Sequence, residues 1–308
     1  MKIRPIINVR PTSPHYELTN TIYQKLKPHF PTCGDGFGIT MSIIHNDRDL
    51  CFNCFAREIL YAIEECITDK TKAIVWIDIN GQTPDIDKII AIAKKHNIMT
   101  IEDAAPSAGA SYKNNKVGSL ADITCFSFGP VKPLGAIGGA GGITASKTIC
   151  DRARQLRDHG RIARDQYKTL GWNRNMHSLQ ASFLLAKLPY LDELNDRKRT
   201  HALEYNNALE GIVKHIPQEQ NETYHPYHLY SVLVEKRNEL REYLNAHNVE
   251  SLIHWPVGLH EYSFSTKPDK ELPITKQITT QSVSLPCSPF LTVEERNQVI
   301  DLVRKFYA

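Results

Sequence analysis

Between Lys72 and Glu102 the hydrophobic period of the chain switches twice, and this constrains the fold more than any other feature. Lys72-Ala-Ile-Val-Trp-Ile-Asp-Ile79 is a nearly continuous apolar run, as expected of a strand buried on both faces of a parallel sheet. From Asp85 to Asn97 the isoleucines and alanine at 86, 89, 90 and 93 fall at i, i+3, i+4 and i+7, which lines one face of a helix. Ile98-Met-Thr-Ile-Glu102 then returns to strand character. A helix is also predicted over 56–67, and strands over Ile123 to Phe128 and Gly142 to Ala145, after which Ser146 caps a helix running toward His159. The pattern predicts an α/β fold with a mostly parallel central sheet, whose ligands bind at the carboxyl ends of the strands.

The second half reads differently. A long helical stretch from Ser178 to Leu209 is interrupted by Pro189, which removes an N–H and splits or kinks it. Beyond Gly211 the periodicity predicts a strand from Tyr227 to Val234, a helix from Asn238 to His247 and a strand from Val249 to His254. A polar loop near 262–272 and a last helix from Thr292 to Phe306 follow. This order suggests a smaller C-terminal α+β domain.

Composition excludes several classes of function. A net charge of +3 spread over 308 residues, with no basic block longer than Arg197-Lys-Arg199, argues against nucleic-acid binding. The seven cysteines are odd in number and scattered, as in reduced cytosolic proteins. Cys51-Phe-Asn-Cys54 has CxxC spacing but no second pair or nearby histidine to complete a metal site, so no metal is expected. Met1-Lys-Ile-Arg-Pro5 lacks the apolar run of a signal peptide, so no secretory leader is expected, and no stretch reaches the ~18 apolar residues of a membrane span. A cytoplasmic protein without membrane contact is expected.

Four local features carry chemistry. In Ile101-Glu-Asp103-Ala-Ala105 a carboxylate stands at the carboxyl end of a predicted parallel strand, where Asp103 can pair with a protonated ring nitrogen or simply cap the next segment. In Ser127-Phe-Gly-Pro-Val-Lys132 a strand ends in a Gly/Pro turn that presents a lysine, either a surface lysine or one able to bond an aldehyde. Ser127 can donate to a phosphate. From Gly135 to Gly142 five of eight residues are glycine, which serves a tight turn or the close approach of backbone to a ligand. In Gly171-Trp-Asn173-Arg-Asn175, followed by Gln180, amide side chains near a helix start either cap it or reach phosphate and sugar hydroxyls.

From about Asp47 onward these features and further fragments resemble the DegT/DnrJ/EryC1/StrS family of sugar aminotransferases, of fold type I (aspartate aminotransferase-like). The fragments include Gly81-Gln-Thr-Pro-Asp-Ile-Asp87, Val117-Gly-Ser119, Leu156-Arg-Asp-His-Gly160, Leu179-Gln-Ala181, His228-Leu-Tyr230, Ile253-His-Trp-Pro256 and Ser284-Leu-Pro286. The resemblance implies pyridoxal 5'-phosphate as cofactor, Lys132 as the lysine that bonds its aldehyde and acts as general base and acid, and Asp103 as the partner of its ring nitrogen. It implies Ser127 as a phosphate ligand, Ala105 as a further cofactor contact, and Asn173 as a residue reaching the phosphate of a neighbouring subunit. His159, His228 and His254 lie in family-like segments and are substrate candidates. The implied reaction moves an amino group from glutamate to a keto sugar carried on a nucleotide.

The family frame suggests an atypical segment over 1–46, a large cofactor-binding domain over 47–177, a connecting helix over 178–210 and a small C-terminal domain over 211–308. Three places depart from it. No Ser-Gly-Thr phosphate-binding segment is found before Asp47, where the nearest substitute is Cys33-Gly-Asp-Gly-Phe-Gly-Ile-Thr40. Pro106 and Ala108 stand where the family carries Gln and His, and Arg174 and Asn175 follow Asn173 in place of an aromatic residue and an Arg. A homodimer is therefore expected, or a heterodimer with a related full-length aminotransferase, in which a non-catalytic chain of this kind would act as binding partner.

Overall fold

The computed structural model describes residues 63–263 and 272–308. The CxxC segment, the Cys33–Thr40 substitute and most of the helix predicted over 56–67 lie outside the described residues. Strands β1 (Ala73–Ile77), β2 (Met99–Asp103) and β5 (Ile123–Ser127) run parallel, and β6 (Gly141–Ala145) pairs antiparallel with β5 to complete a sheet of order β1-β2-β5-β6. The mostly parallel sheet predicted from the apolar runs is therefore present, with element ends shifted by a residue or two. Register brings Asp103, the last residue of β2, opposite Ile77 of β1 and Cys125 of β5. Asp78, Asp103 and Ser127 thus gather along the carboxyl edge.

Helix α1 (Ile86–Lys95) starts where the Asp85 side chain accepts from the Lys88 N–H. It buries Ile86, Ile89 and Ala93 against Ile74 and Trp76 of β1, as the 3.6-residue period requires. Helix α2 (Lys147–Arg157) is capped by Ser146, whose hydroxyl accepts from the Ile149 N–H. Pro189 divides the long helical stretch as expected: α3 (Ser178–Lys187) passes through a short 3-10 turn into α4 (Leu191–Leu209). Short pairings of two or three residues lie outside the main sheet: β3 (Ser111–Tyr112) with both β4 (Asn115–Lys116) and β9 (Thr223–Tyr224), and β7 (Arg161–Ala163) with β8 (Gln166–Tyr167). They lack any period long enough to read in sequence.

The C-terminal part packs around one core. Ala202, Tyr205 and Leu209 of α4 pack with Tyr230 and Val232 of β10 (Tyr230–Leu233), Leu240 and Leu244 of α5 (Arg237–Ala246), and Val299 and Val303 of α7 (Val293–Tyr307). Further toward its N-terminus, α4 holds the other half of the molecule, because the buried Asn195 donates to the Ala108 carbonyl at 3.0 Å. The strand predicted from Val249 to His254 does not form. Leu252 makes one isolated bridge to Ser284, and Trp255, at φ +53°, turns the chain away. The partner of β10 is instead β11 (Ser282–Leu285), which follows α6 (Pro273–Gln281). Among the described residues no helix is long and apolar enough to cross a membrane.

Candidate active site

The lysine turn begins immediately after β5. Pro130, at the second position of a β-turn, pre-sets φ near that conformation, and the Lys132 N–H closes the turn onto the Gly129 carbonyl at 3.0 Å. The Ala136 N–H then returns to the Phe128 carbonyl, also at 3.0 Å. Gly135 makes this loop possible: a Cβ there would lie 2.5 Å from the Pro130 carbonyl oxygen and 2.7 Å from that of Gly129, closer than any real contact. The glycine run thus serves the close approach of two backbone segments, one of them carrying Lys132.

Helix α3 clamps the same loop from outside. The Gln180 Oε1 accepts from the Gly138 N–H at 2.7 Å, and Lys187 Nζ donates to the Gly135 carbonyl at 2.7 Å. Gln180 is therefore engaged with the loop, where sequence reading left it as a cap or a phosphate ligand. Ser127 Oγ and Lys132 Cγ both lie beside Gly129, 3.8 and 3.9 Å from where its Cβ would be. Lys132 is half-buried, and among the described residues its ammonium has no hydrogen bond or ion pair.

Asp103 is also half-buried. One carboxylate oxygen accepts from the Ala105 N–H at 3.0 Å, which fixes the rotamer and leaves the other oxygen without a partner among the described residues. Behind it stand two carboxyl groups that sequence reading did not single out, Asp78 and Glu102, both 0% exposed. Burial, and then the charge of Glu102, push the Asp78 carboxyl well above its ordinary value, against a Ser107 hydroxyl that donates to it at 2.6 Å. Glu102 is raised by burial, and the Thr124 hydroxyl at 2.7 Å and the Gly118 N–H at 3.3 Å oppose that. The Trp76 indole N–H lowers both groups but is in hydrogen-bonding geometry with neither. Period-2 alternation could have flagged Glu102 as inward-pointing, since Thr100 and Glu102 are the buried positions of β2.

Across from this edge stands a wall from the C-terminal half. Burial, then the charges of Lys198, Lys132 and His254, push the His228 imidazole down to about 3, so it is neutral near pH 7. His254 is lowered by burial and then by Lys132, and its Nδ1 lies 2.9 Å from Ser284 Oγ. The structure therefore brings Lys132, His228 and His254 together, although they are up to 122 positions apart in sequence. It does not bring His159 or Asn173 to them. His159 is exposed at φ +60° with its N–H on the Trp172 carbonyl, and Asn173, also exposed, forms a bridge with Asp158.

Asp103, Lys132 and Ser127 fit pyridoxal phosphate by the chemistry of their donors and acceptors: a carboxylate with a free oxygen for a ring N–H, an unpaired amine for an aldehyde, and a hydroxyl for a phosphate. The remainder of a phosphate wall, if supplied by residues before 63, lies outside the described residues.

Residues 59–304 match the model of the DegT/DnrJ/EryC1/StrS aminotransferase family. A relative from Aneurinibacillus thermoaerophilus named dTDP-3-amino-3,6-dideoxy-alpha-D-galactopyranose transaminase is 38% identical over 246 residues, spanning 79% of this chain and 68% of its own. A pleiotropic regulatory protein from Geobacillus stearothermophilus is 34% identical over 252 residues, spanning 80% and 68%. Among solved structures, S. venezuelae DesV, in complex with a ketimine intermediate, superposes with a TM-score of 0.77 at 32% identity, over 80% of this chain and 68% of that one.

Proposed function

The chain belongs to the DegT/DnrJ/EryC1/StrS aminotransferase family, whose enzymes depend on pyridoxal phosphate, and on that premise we propose that it transfers the amino group of glutamate to a keto sugar carried on a nucleotide. The carrying observation is the Lys132 turn, which follows β5 and presents an unpaired, half-buried amine at the carboxyl edge of the sheet, where the neighbouring strand β2 ends in Asp103. Transaminases named for nucleotide-linked amino sugars among the relatives support the substrate class. The exchange balances without an external oxidant: glutamate becomes 2-oxoglutarate, and the sugar carbonyl becomes an amine.

When bound, the cofactor supplies an aldehyde and an electron-accepting ring. Asp103 then holds its free carboxylate oxygen toward the ring nitrogen, with the Ala105 N–H keeping the side chain in place. Lys132 Nζ takes and returns a proton as general base and acid. Ser127 donates its hydroxyl to the phosphate, and Ala105 contacts the ring. His228, neutral and packed near Lys132, and His254, held by Ser284, face the sugar. Asn173 serves an adjoining subunit. Exposed apolar side chains on and after α3, Leu179, Leu185, Leu188 and Tyr190, support a dimer, with a second copy or with a related aminotransferase. A cytoplasmic location fits a nucleotide-sugar substrate.

Borohydride reduction of the protein with pyridoxal phosphate, followed by peptide mass spectrometry, tests the reading. The cofactor mass is expected on the peptide carrying Lys132, and Lys132→Ala should lose both the label and about 10³-fold in turnover. No label at saturating cofactor would overturn the assignment.

A further inference from the structure

Lys198 lies in the middle of α4 and is 6% exposed. Its phase explains why: Leu191, Asn195, Lys198, Ala202, Tyr205 and Leu209 recur at three- and four-residue spacing on the buried face of the helix. A lysine on such a face normally carries its ammonium out to water or pairs it. Here, among the described residues, the ammonium has neither a hydrogen bond nor an ion pair. Its surroundings place it at the site. Asn195, one turn earlier, binds the Ala108 carbonyl in the loop that follows Asp103, and the Cys287 thiol reaches the carbonyl of Lys198 itself. The same wall meets the sheet edge directly, because the His228 N–H donates to the Asn80 carbonyl just beyond β1 at 2.9 Å, and the charge of Lys198 helps to lower both His228 and His225.

The groups facing this ammonium are therefore two imidazoles and a thiol. Burial and the neighbouring cations leave His225 and His228 neutral, and burial pushes the Cys287 thiol up to about 12. None supplies a counter-charge. A buried, unpaired ammonium is costly, and its cost falls when an anion arrives.

We propose that Lys198 is a second cationic residue of the active site, which receives an oxyanion from a ligand bound against His228 and Lys132. The oxyanion is a carboxylate of the amino donor or the phosphate of the cofactor, and both would make a charge-assisted hydrogen bond to the ammonium. The inference rests on the reading of Lys132 as the cofactor lysine.

Lys198→Met keeps most of the length and volume of the side chain and removes the charge, and Lys198→Arg keeps the charge. Binding of glutarate and of inorganic phosphate to the full chain would be measured by calorimetry for each. One of the two anions is expected to bind about 10- to 100-fold more weakly to the methionine variant, and the arginine variant should restore at least part of the loss. Weakened glutarate binding assigns the donor carboxylate, and weakened phosphate binding assigns the cofactor phosphate. Unchanged binding of both anions would overturn the inference. So would a methionine variant that fails to fold, because removing an unpaired buried charge should not destabilise. The borohydride label on Lys132 is measured on the same variants. If the label persists while anion binding is unchanged, the role of Lys198 fails and the aminotransferase reading stands.

Discussion

The two sides of the site are built on opposite electrostatic plans. On the strand edge, Asp78, Glu102 and Asp103 crowd three carboxyl groups into neighbouring positions of β1 and β2, and two of them are fully buried. On the C-terminal wall, His228 and His254 feel the charge of Lys132, His228 also feels that of Lys198, and Lys198 lies by the Cys287 thiol. The edge answers part of its problem locally: each buried carboxyl accepts a hydrogen bond from a hydroxyl, of Ser107 or Thr124, while Asp78 Oδ1 and Glu102 Oε1 have no partner among the described residues. The wall solves its own by keeping the imidazoles neutral and leaves one ammonium unanswered. A ligand that is positive at its ring nitrogen and negative at its periphery suits both sides at once.

Among substitutions on the edge and the wall, removal of the half-buried Asp103 should have the largest effect. Asp103→Ala takes away the carboxylate that would pair with a ring N–H, and loss of one partner from a partly buried charge pair costs about 3 kcal/mol, so kcat/KM should fall about 100-fold or more. His254→Ala in the same assay should cost less and act on the KM for the sugar substrate. Equal losses in kcat for the two variants would dissolve the contrast between edge and wall.

The next effect concerns stability on the wall. Burial pushes Lys198 down to about 8, which corresponds to about 3 kcal/mol of destabilisation while the group is charged. The folded state binds fewer protons than the unfolded state between pH 8 and the ordinary lysine value, so stability rises with pH through that window. Lys198→Met should therefore be more stable than the parent at pH 7, and urea unfolding should show the gap closing between about pH 8 and 10. A gap independent of pH would mean that the ammonium is not buried in solution.

The smallest effect is expected on the edge. Asp78 has a raised carboxyl, so the stability it permits is present in acid and lost as pH rises through its folded value. Asp78→Asn retains an acceptor for Ser107 and removes a charge from beside Glu102. It should add about 1 kcal/mol at pH 7 and nothing near pH 3, read as a shift in thermal midpoint. A destabilised variant at pH 7 would show that the pair carries a stabilising role of its own.

Much of the edge was legible in the sequence. The apolar run ending at Asp78, the strand ending at Asp103 and the Ser127-to-Lys132 turn are contiguous motifs, and a parallel sheet aligns their carboxyl ends without further information. The wall was only partly legible. His228 and His254 stood in recognisable fragments, but the strand predicted over 249–254 gave way to β11, because Trp255 turns the chain away and Ser282–Leu285 is the fully buried run. Lys198 stands in the short basic block Arg197-Lys-Arg199, and only the period of α4 marks it as inward.

The sequence by itself determined the family, the order of strands and helices along the chain and the lysine turn, because each rests on local pattern within a few tens of residues. The tertiary structure alone decided that Gly135 packs on the Lys132 turn, that Gln180 is spent on the glycine loop and that Lys198 shares His228 with Lys132. Those relations join residues 30 to 96 positions apart, or depend on one missing Cβ. They become fixed only when helix α4 brings the sheet and the C-terminal core together, burying charge where no neighbouring residue in sequence can answer it.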